Sequence, residues 1–289
     1  MRNQWNKPRA LVLVTGLYVL WSLIPVAIAV QFSFNDGRSR STWQGFSTQW
    51  YVGEPADAAS VLYDPSLRSA LSQSLILAIL TMLVATPVGV ALAVGLARWK
   101  GRGAKPSNFL MLFPLVTPEI VMGVALFLVF DNLYDFVPFG TWAQFLGHVT
   151  FSISFVVIIV RGRLFAIGRD YEEAAMDLGA SPWEAMRRVL LPLLAPALLA
   201  SFAIVFALSI DDFVISQFLV GSAESVTIPV RLYSGARLAP PPSLNALATV
   251  LMVITIGAIV VAGLAYKYLG KRFGGGDDSA LETVGRFEI

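Results

Sequence analysis

The segment VLLPLLAPALLASFAIVFALSIDDFVISQFL, Val189 to Leu219, carries no charge until two adjacent aspartates, Asp211 and Asp212. A bilayer core of about 30 Å takes roughly 20 apolar residues per helical crossing, and this run exceeds that length. It reads as a membrane span. Two carboxylates inside it are costly to bury, and acids inside a membrane mark a partner, a relay or a solute path.

The same test applied along the chain finds five more windows. They are Ala10 to Gln31, Ser69 to Ala97, Ser107 to Phe130 broken only by Glu119, Phe136 to Val160, and Leu244 to Tyr266. Of the 289 residues, 56% are hydrophobic and 14% charged, with a mean hydropathy of +0.69, too apolar for an ordinary soluble domain. Helices satisfy their own backbone in lipid, so the pattern predicts an all-α membrane protein with six transmembrane helices. The first window holds an A-x-A-like pair, Ala27 and Ala29. Its apolar core is too long for a signal peptide and reads as a retained span.

Sidedness follows from the basic residues. Sixteen of the 21 Lys and Arg lie in the N-terminus, the loops 98–105 and 161–188, and the tail after Tyr266. The positive-inside rule then puts both termini in the cytoplasm and segments 32–68 and 221–237 outside. The expected organisation is a cytoplasmic N-terminus over 1–9, a membrane domain over 10–268, and a Gly-rich, flexible cytoplasmic tail over 269–289. The net charge of +2 reflects this topology and gives no reason to invoke nucleic acid. Without cysteine and with one histidine, His148, the chain offers no metal site. It carries no phosphate loop, nucleophile elbow, zinc-binding H-E-x-x-H or dinucleotide glycine fingerprint, so it reads as a non-enzyme with no cofactor of its own.

Several residues inside the spans could carry function. In LFPLVTPEIVMG, Pro114 and Pro118 each remove a backbone donor, so the third span is expected to kink. Thr117 resembles an N-cap before a first-turn proline, which puts Glu119 in the first turn of a new half-helix, about 18 Å into the membrane from Ser107. A carboxylate stabilised by the helix dipole and one facing a solute path both fit Glu119. Asp211 lies about 27 Å along the fifth helix from Leu193, toward its outer end. Adjacent helical residues diverge by roughly 100°, so the two aspartates point different ways. Asp212 shares a face with Ser209 and Ser216. One aspartate is expected to face a pathway and the other to cap or pair with a neighbouring span; the alternative for the pair is an anchor between helices. Trp50 and Tyr51 suit either an interfacial aromatic belt or a cation-binding face. His148 suits a satisfied polar residue or a proton relay.

The longest basic loop reads RGRLFAIGRDYEEAAMDLGASPWEAMRRVLLPLLAP, Arg161 to Pro196. Good helix formers over Tyr171 to Leu178, Gly179 at a left-handed stop, and Ser181 and Pro182 as cap and first turn predict two short helices around a turn. Pro192 then marks the approach to the fifth span. Ala174, Ala175 and Leu178 make a small apolar face, with Glu172, Glu173 and Asp177 around it, suited to docking another protein or to resting on the membrane surface.

The string EAAMDLGASPWEAMRRVLLP, Glu173 to Pro192, resembles the EAA loop of ABC-importer permeases: E-A-A, three residues, G, nine residues, then I-x-L-P. Leu191 and Pro192 close the pattern, and Val189 stands where isoleucine is usual. The resemblance implies a type I ABC-importer permease architecture whose loop 161–192 couples, through a helix near Tyr171 to Leu178, to an ATP-hydrolysing subunit. ATP and Mg would then be used by that partner, present in two copies. A second homologous permease subunit, an extracytoplasmic substrate-binding protein and membrane lipid complete the implied surroundings, in the cell inner membrane.

Other stretches are similar to the spermidine/putrescine branch, specifically its second permease subunit. They are SFND at Ser33, WQGFSTQWY at Trp43, TPEIVMGVALFLVF at Thr117, HVTFSISFVVIIVRGRL at His148, ALSIDDFVISQFLVG at Ala207 and LNALATV at Leu244. Glu119 stands where that branch usually has aspartate. The resemblance covers most of the chain and implies polyamine import by alternating access. The chemistry fits: protonated amines need carboxylates and aromatic faces, which Glu119, Asp211, Asp212, Ser209 and Trp50 could line. A permease for iron, thiamine, an opine or an anion, or a proton-coupled secondary transporter using Glu119, Asp211 and His148, are the alternatives. Iron favours oxygen or imidazole ligands and anions favour arginine, whereas these spans offer acids and almost no base.

Overall fold

The computed structural model describes residues 9–39, 41–53, 60–99, 101–237 and 242–273. The expected cytoplasmic N-terminus up to residue 8 and the flexible tail from 274 onward lie outside the described residues. Thirteen α-helices follow one another: α1 (Arg9–Ser33), α2 (Gln49–Val52), α3 (Pro65–Arg98), α4 (Ala104–Leu110), α5 (Phe113–Val116), α6 (Glu119–Asn132), α7 (Thr141–Ile167), α8 (Asp170–Asp177), α9 (Pro182–Ala185), α10 (Leu191–Asp211), α11 (Val214–Phe218), α12 (Ile228–Arg237) and α13 (Pro242–Phe273). A π-helical turn, Met186–Leu190, joins α9 to α10. Among the described residues, five helical segments are long and apolar enough to cross a membrane, and the bent pair Ala104–Val116 and Glu119–Asn132 covers the sixth expected window.

That third window departs most from a simple span. Its two halves meet at 109°, far beyond a kink. Pro118 biases Thr117 toward extended backbone, and Thr117 sits at φ −75°, ψ 129°. Pro114 removes a further donor one turn earlier. Thr117 does not cap α6 as expected: its hydroxyl donates back to the Phe113 carbonyl at 2.8 Å, and α6 begins at Glu119 without a side-chain cap.

The centre of the bundle is α3, α7 and α10. Ala85 and Ala93 of α3, Val156 and Val160 of α7, and Leu194 and Val205 of α10 are all buried together. Lipid is as apolar as leucine, so helices associate in it by close packing, and small residues permit that approach. Gly89 shows how close: a Cβ added there would lie 2.6 Å from the Val156 Cβ. A second cluster, Trp50, Leu67, Ile228, Leu244 and Leu247, ties α2, α3, α12 and α13 together at one end. A third, Phe130, Ala143, Ile215 and Leu219, seats α11 between α6 and α7. On α1 the large side chains Leu13, Leu17 and Trp21 are exposed, as a lipid-facing helix requires.

The two ends of the bundle differ. At one, Arg98 meets Glu172, Arg161 bonds Asn108 at 2.6 Å, and the α8–α9 hairpin is anchored. At the other, Ser74 accepts from the Ile228 N–H at 2.8 Å and Arg231 bonds Ser66 at 2.8 Å. The fifth window, expected as one helix to Leu219, begins in the π turn, runs through α10, stops at Asp211, and resumes as α11 after an extended Asp212 at φ −65°, ψ 122°.

Candidate functional site: a coupling turn and a broken span

The hairpin after α7 is built by local rules. Gly179 adopts φ +90° in open surroundings, a conformation that an L side chain rarely takes. Its N–H reaches the Met176 carbonyl at 2.9 Å and that of Ala180 reaches Ala175 at 3.1 Å, the paired bonds of a Schellman stop. Ser181 then starts α9 with a complete capping box, its hydroxyl accepting from the Glu184 N–H while Glu184 accepts from the Ser181 N–H. Pro192 has no N–H to close an ordinary turn, and just before it the Leu191 N–H reaches five residues back to Met186. The widened turn accommodates the proline without ending the helix, so Pro192 lies inside a continuous helical run.

The hairpin's tip is bare. Leu178 is 91% exposed, and Tyr171, Met176 and Trp183 stand out beside it. Glu173, Ala174, Asp177 and Gly179 are exposed, whereas Ala175, Leu191 and Pro192 are half-buried. Glu172 differs from its neighbours. It turns back to pair with Arg98 at the end of α3 and fastens the hairpin to the bundle.

The break between α10 and α11 is built by contacts between helices. His148 of α7 lies under it, 2% exposed. Nδ1 is 2.8 Å from the Ser209 Oγ, Nε2 is 3.0 Å from the Ser216 Oγ, and Nε2 is 3.2 Å from the Asp212 Oδ1. A carboxylate can only accept here, so Nε2 carries the proton toward Asp212. Asp212 also accepts from the Ser216 N–H at 2.8 Å, which satisfies a donor freed by the break. One turn earlier on α7, Gln144 donates to the Ser216 and Ser225 carbonyls at 2.9 and 3.0 Å and accepts from Gln73 of α3 at 2.9 Å. Broken backbone at membrane depth survives only where such partners re-satisfy it. Gly147 and Gly123 let α7 and α6 close on α11: a Cβ on either would fall within 2.7 Å of an α11 side chain, Ile215 or Phe218.

The expected pathway residues therefore separate. Asp212 and Ser209 are turned into the bundle, bonded to His148, so in this conformation neither lines an open path as expected. Asp211 is exposed, with no hydrogen bond or ion pair among the described residues. Phe213, two residues on, packs its ring 4.6 Å from that of Tyr233 on α12. Glu119 is exposed at the start of α6, one turn before Gly123 on the helix that receives α11. Trp50 corrects the expectation of a cation-binding face. It is 5% exposed, packed among Val61, Leu67 and Ile228, with its indole N–H donated to the Asn35 carbonyl at 2.6 Å.

A family model described as a binding-protein-dependent transport system inner membrane component matches residues 85–275, from α3 through both the hairpin and the break. The chain belongs to this family. Among curated relatives, the spermidine/putrescine transport system permease protein PotC of Shigella flexneri is 34% identical over 91% of this permease and 95% of its own length. The putrescine transport system permease protein PotI of Escherichia coli (strain K12) is 34% identical over 94% and 92%. A chain of the bacterial alginate ABC transporter, solved with an alginate pentasaccharide-bound periplasmic protein, superposes with a TM-score of 0.67 at 17% identity, covering 92% of this permease and 94% of that chain. A chain of an amino acid ABC transporter with histidines superposes at 0.55 and 21% identity, covering 72% and 96%. These likenesses bear on fold, and the fold of the permease is that of ABC-importer membrane subunits, multi-pass and all-helical.

Gln73 and Gln144 are parts of the site that the sequence reading does not name. The available signal was the spacing of Gln144 and His148, two bulky polar residues one helical turn apart in an apolar span, which predicts a shared buried polar face.

Proposed function

We propose that this permease forms one half of the translocation pathway of an ATP-driven importer of polyamines, with Asp211 as the carboxylate presented to the solute. The observation that carries the reading is the break itself. It engages Asp212 internally and leaves Asp211 exposed at the end of α10 without an internal partner among the described residues. Discontinuous helices at membrane depth are where transporters build solute sites. A protonated amine is the matching solute: Asp211 can accept its charge-assisted hydrogen bonds, and the Phe213–Tyr233 pair beside it offers aromatic faces. Glu119, exposed at the start of α6, supplies a second acid one turn before Gly123, where α6 meets α11. The names of the PotC and PotI relatives support the same class.

In this reading the basic end of the bundle faces the cytoplasm, with both termini, as the distribution of Lys and Arg favours. Two ATPase subunits, which use ATP and Mg, engage two such hairpins, one on this chain and one on a second homologous permease. An extracytoplasmic binding protein delivers the amine to the opposite end. Closure of the ATPases draws the hairpins together, and the rigid path from α8 through the π turn to α10 transmits that movement to the break. The permease itself breaks no bond.

Replacing Asp211 with Asn keeps the shape and removes the charge. A charge-assisted hydrogen bond is worth about 1.5–3 kcal/mol, so uptake of radiolabelled putrescine and spermidine by the assembled complex is expected to fall roughly tenfold or more. Uptake at the original level, or competition by unrelated cations as strong as by polyamines, would sink the reading.

A further inference from the structure

We propose that His148 is a positioning residue for transport: it clamps the broken fifth span so that Asp211, and not Asp212, is presented to the solute. The proposal rests on the polyamine reading above. One imidazole touches the span on both sides of its break, Ser209 before it and Ser216 after it, and holds Asp212 at the break itself. Its body is fixed by the α7 packing of Gly147 against Ile215 and Leu219, one residue away. With Asp212, in extended backbone, turned inward by this bond, Asp211 at the last helical position of α10 stays exposed. The clamp therefore decides which carboxylate is offered. Without it, Asp212 sits in an apolar bundle short of its ring donor and has to find one by turning out or by rearranging the break, displacing Asp211 in either case.

Two substitutions separate the two ring nitrogens. A glutamine amide reaches about where Nε2 lies and can still donate to Asp212; an asparagine amide reaches about where Nδ1 lies and keeps Ser209 only. The full complex, reconstituted in proteoliposomes with its binding protein loaded with putrescine or spermidine, reports amine moved per ATP hydrolysed. His148→Asn is expected to lower that ratio about tenfold while ATP hydrolysis stimulated by the loaded binding protein continues, and His148→Gln to remain within about threefold of the original. Asp212→Asn added to His148→Asn should cost little more, because the ring donor that the carboxylate charge served is already gone, while the amide oxygen still accepts from the Ser216 N–H. Equal ratios for the Asn and Gln variants, or a parallel fall in ATP hydrolysis and assembled complex, would overturn the positioning role, since either is the signature of a merely structural residue. Asp211→Asn run alongside keeps the two claims apart. If it transports normally, the polyamine reading fails and this proposal fails with it; if it is impaired while His148→Asn is normal, the positioning role alone fails.

Discussion

Two of the permease's helix interruptions, at Gly179 and at Asp212, are built from different materials. The stop at Gly179 uses bonds between residues no more than five apart and projects an exposed leucine from its tip. The break at Asp212 draws on α7, 61 to 72 residues away in sequence, through His148 and Gln144, and buries nearly everything it touches except Asp211. An element made of local bonds holds its own shape while the bundle moves. One made of bonds between helices shares its shape with the bundle and reports changes in packing. A docking knob suits the first construction, and a solute site that must open on alternate sides suits the second.

The comparison breaks most visibly at Asp212. Changing Asp212 to Ala removes the acceptor for both the His148 ring and the Ser216 N–H, and deleting one partner of a buried pair costs on the order of 3 kcal/mol or more. The detergent-solubilised permease is expected to lose its folded peak at a clearly lower temperature in fluorescence-detected size exclusion. An unchanged melting profile would mean that the break is held by apolar packing alone.

Gly179 should behave in the opposite way. A Cβ there meets no atom within 4 Å, so the cost of valine is chiefly backbone strain, about 1–2 kcal/mol for a left-handed L-residue and more for a β-branched one. The bundle's melting should not move, whereas retention of the ATPase during purification should fall severalfold; asparagine, which tolerates that conformation, should retain more. A Gly179→Val permease that melts early would show that the hairpin is part of the bundle after all.

The same contrast explains what was legible in the sequence. The six windows, the hairpin, the stop at Gly179 and the cap at Ser181 were all readable, because hydrophobic run length and cap chemistry act over a few residues. The end of α10 was not, since no proline or glycine stands at Asp212 or Phe213 to announce it. Its cause lies on α7, and periodicity carried across the break placed Ser209, Asp212 and Ser216 on one helical face when they meet instead around an imidazole. Trp50 was misjudged for a related reason: an aromatic outside the spans resembles an interfacial residue until the Ile228 and Leu244 side chains that cover it are brought in from the far end of the sequence. Pro114 and Pro118 announced a bend correctly, but a count of prolines carries no angle.

The smallest expected effect lies where the two constructions meet, at the Arg98–Glu172 pair that fastens the hairpin to α3. Glu172 is 13% exposed but Arg98 is 36% exposed, so water and salt reach the pair. Pairs of this kind contribute about 0–1 kcal/mol and weaken as ionic strength rises. Arg98→Ala and Glu172→Ala should each lower transport by no more than about twofold, and the double variant should resemble either single one, a coupling of about 0.5 kcal/mol that shrinks in high salt. A larger coupling would change the comparison itself. It would mean that the hairpin's orientation, unlike its shape, depends on the bundle, and that α3 as well as α10 carries the ATPase movement to the break.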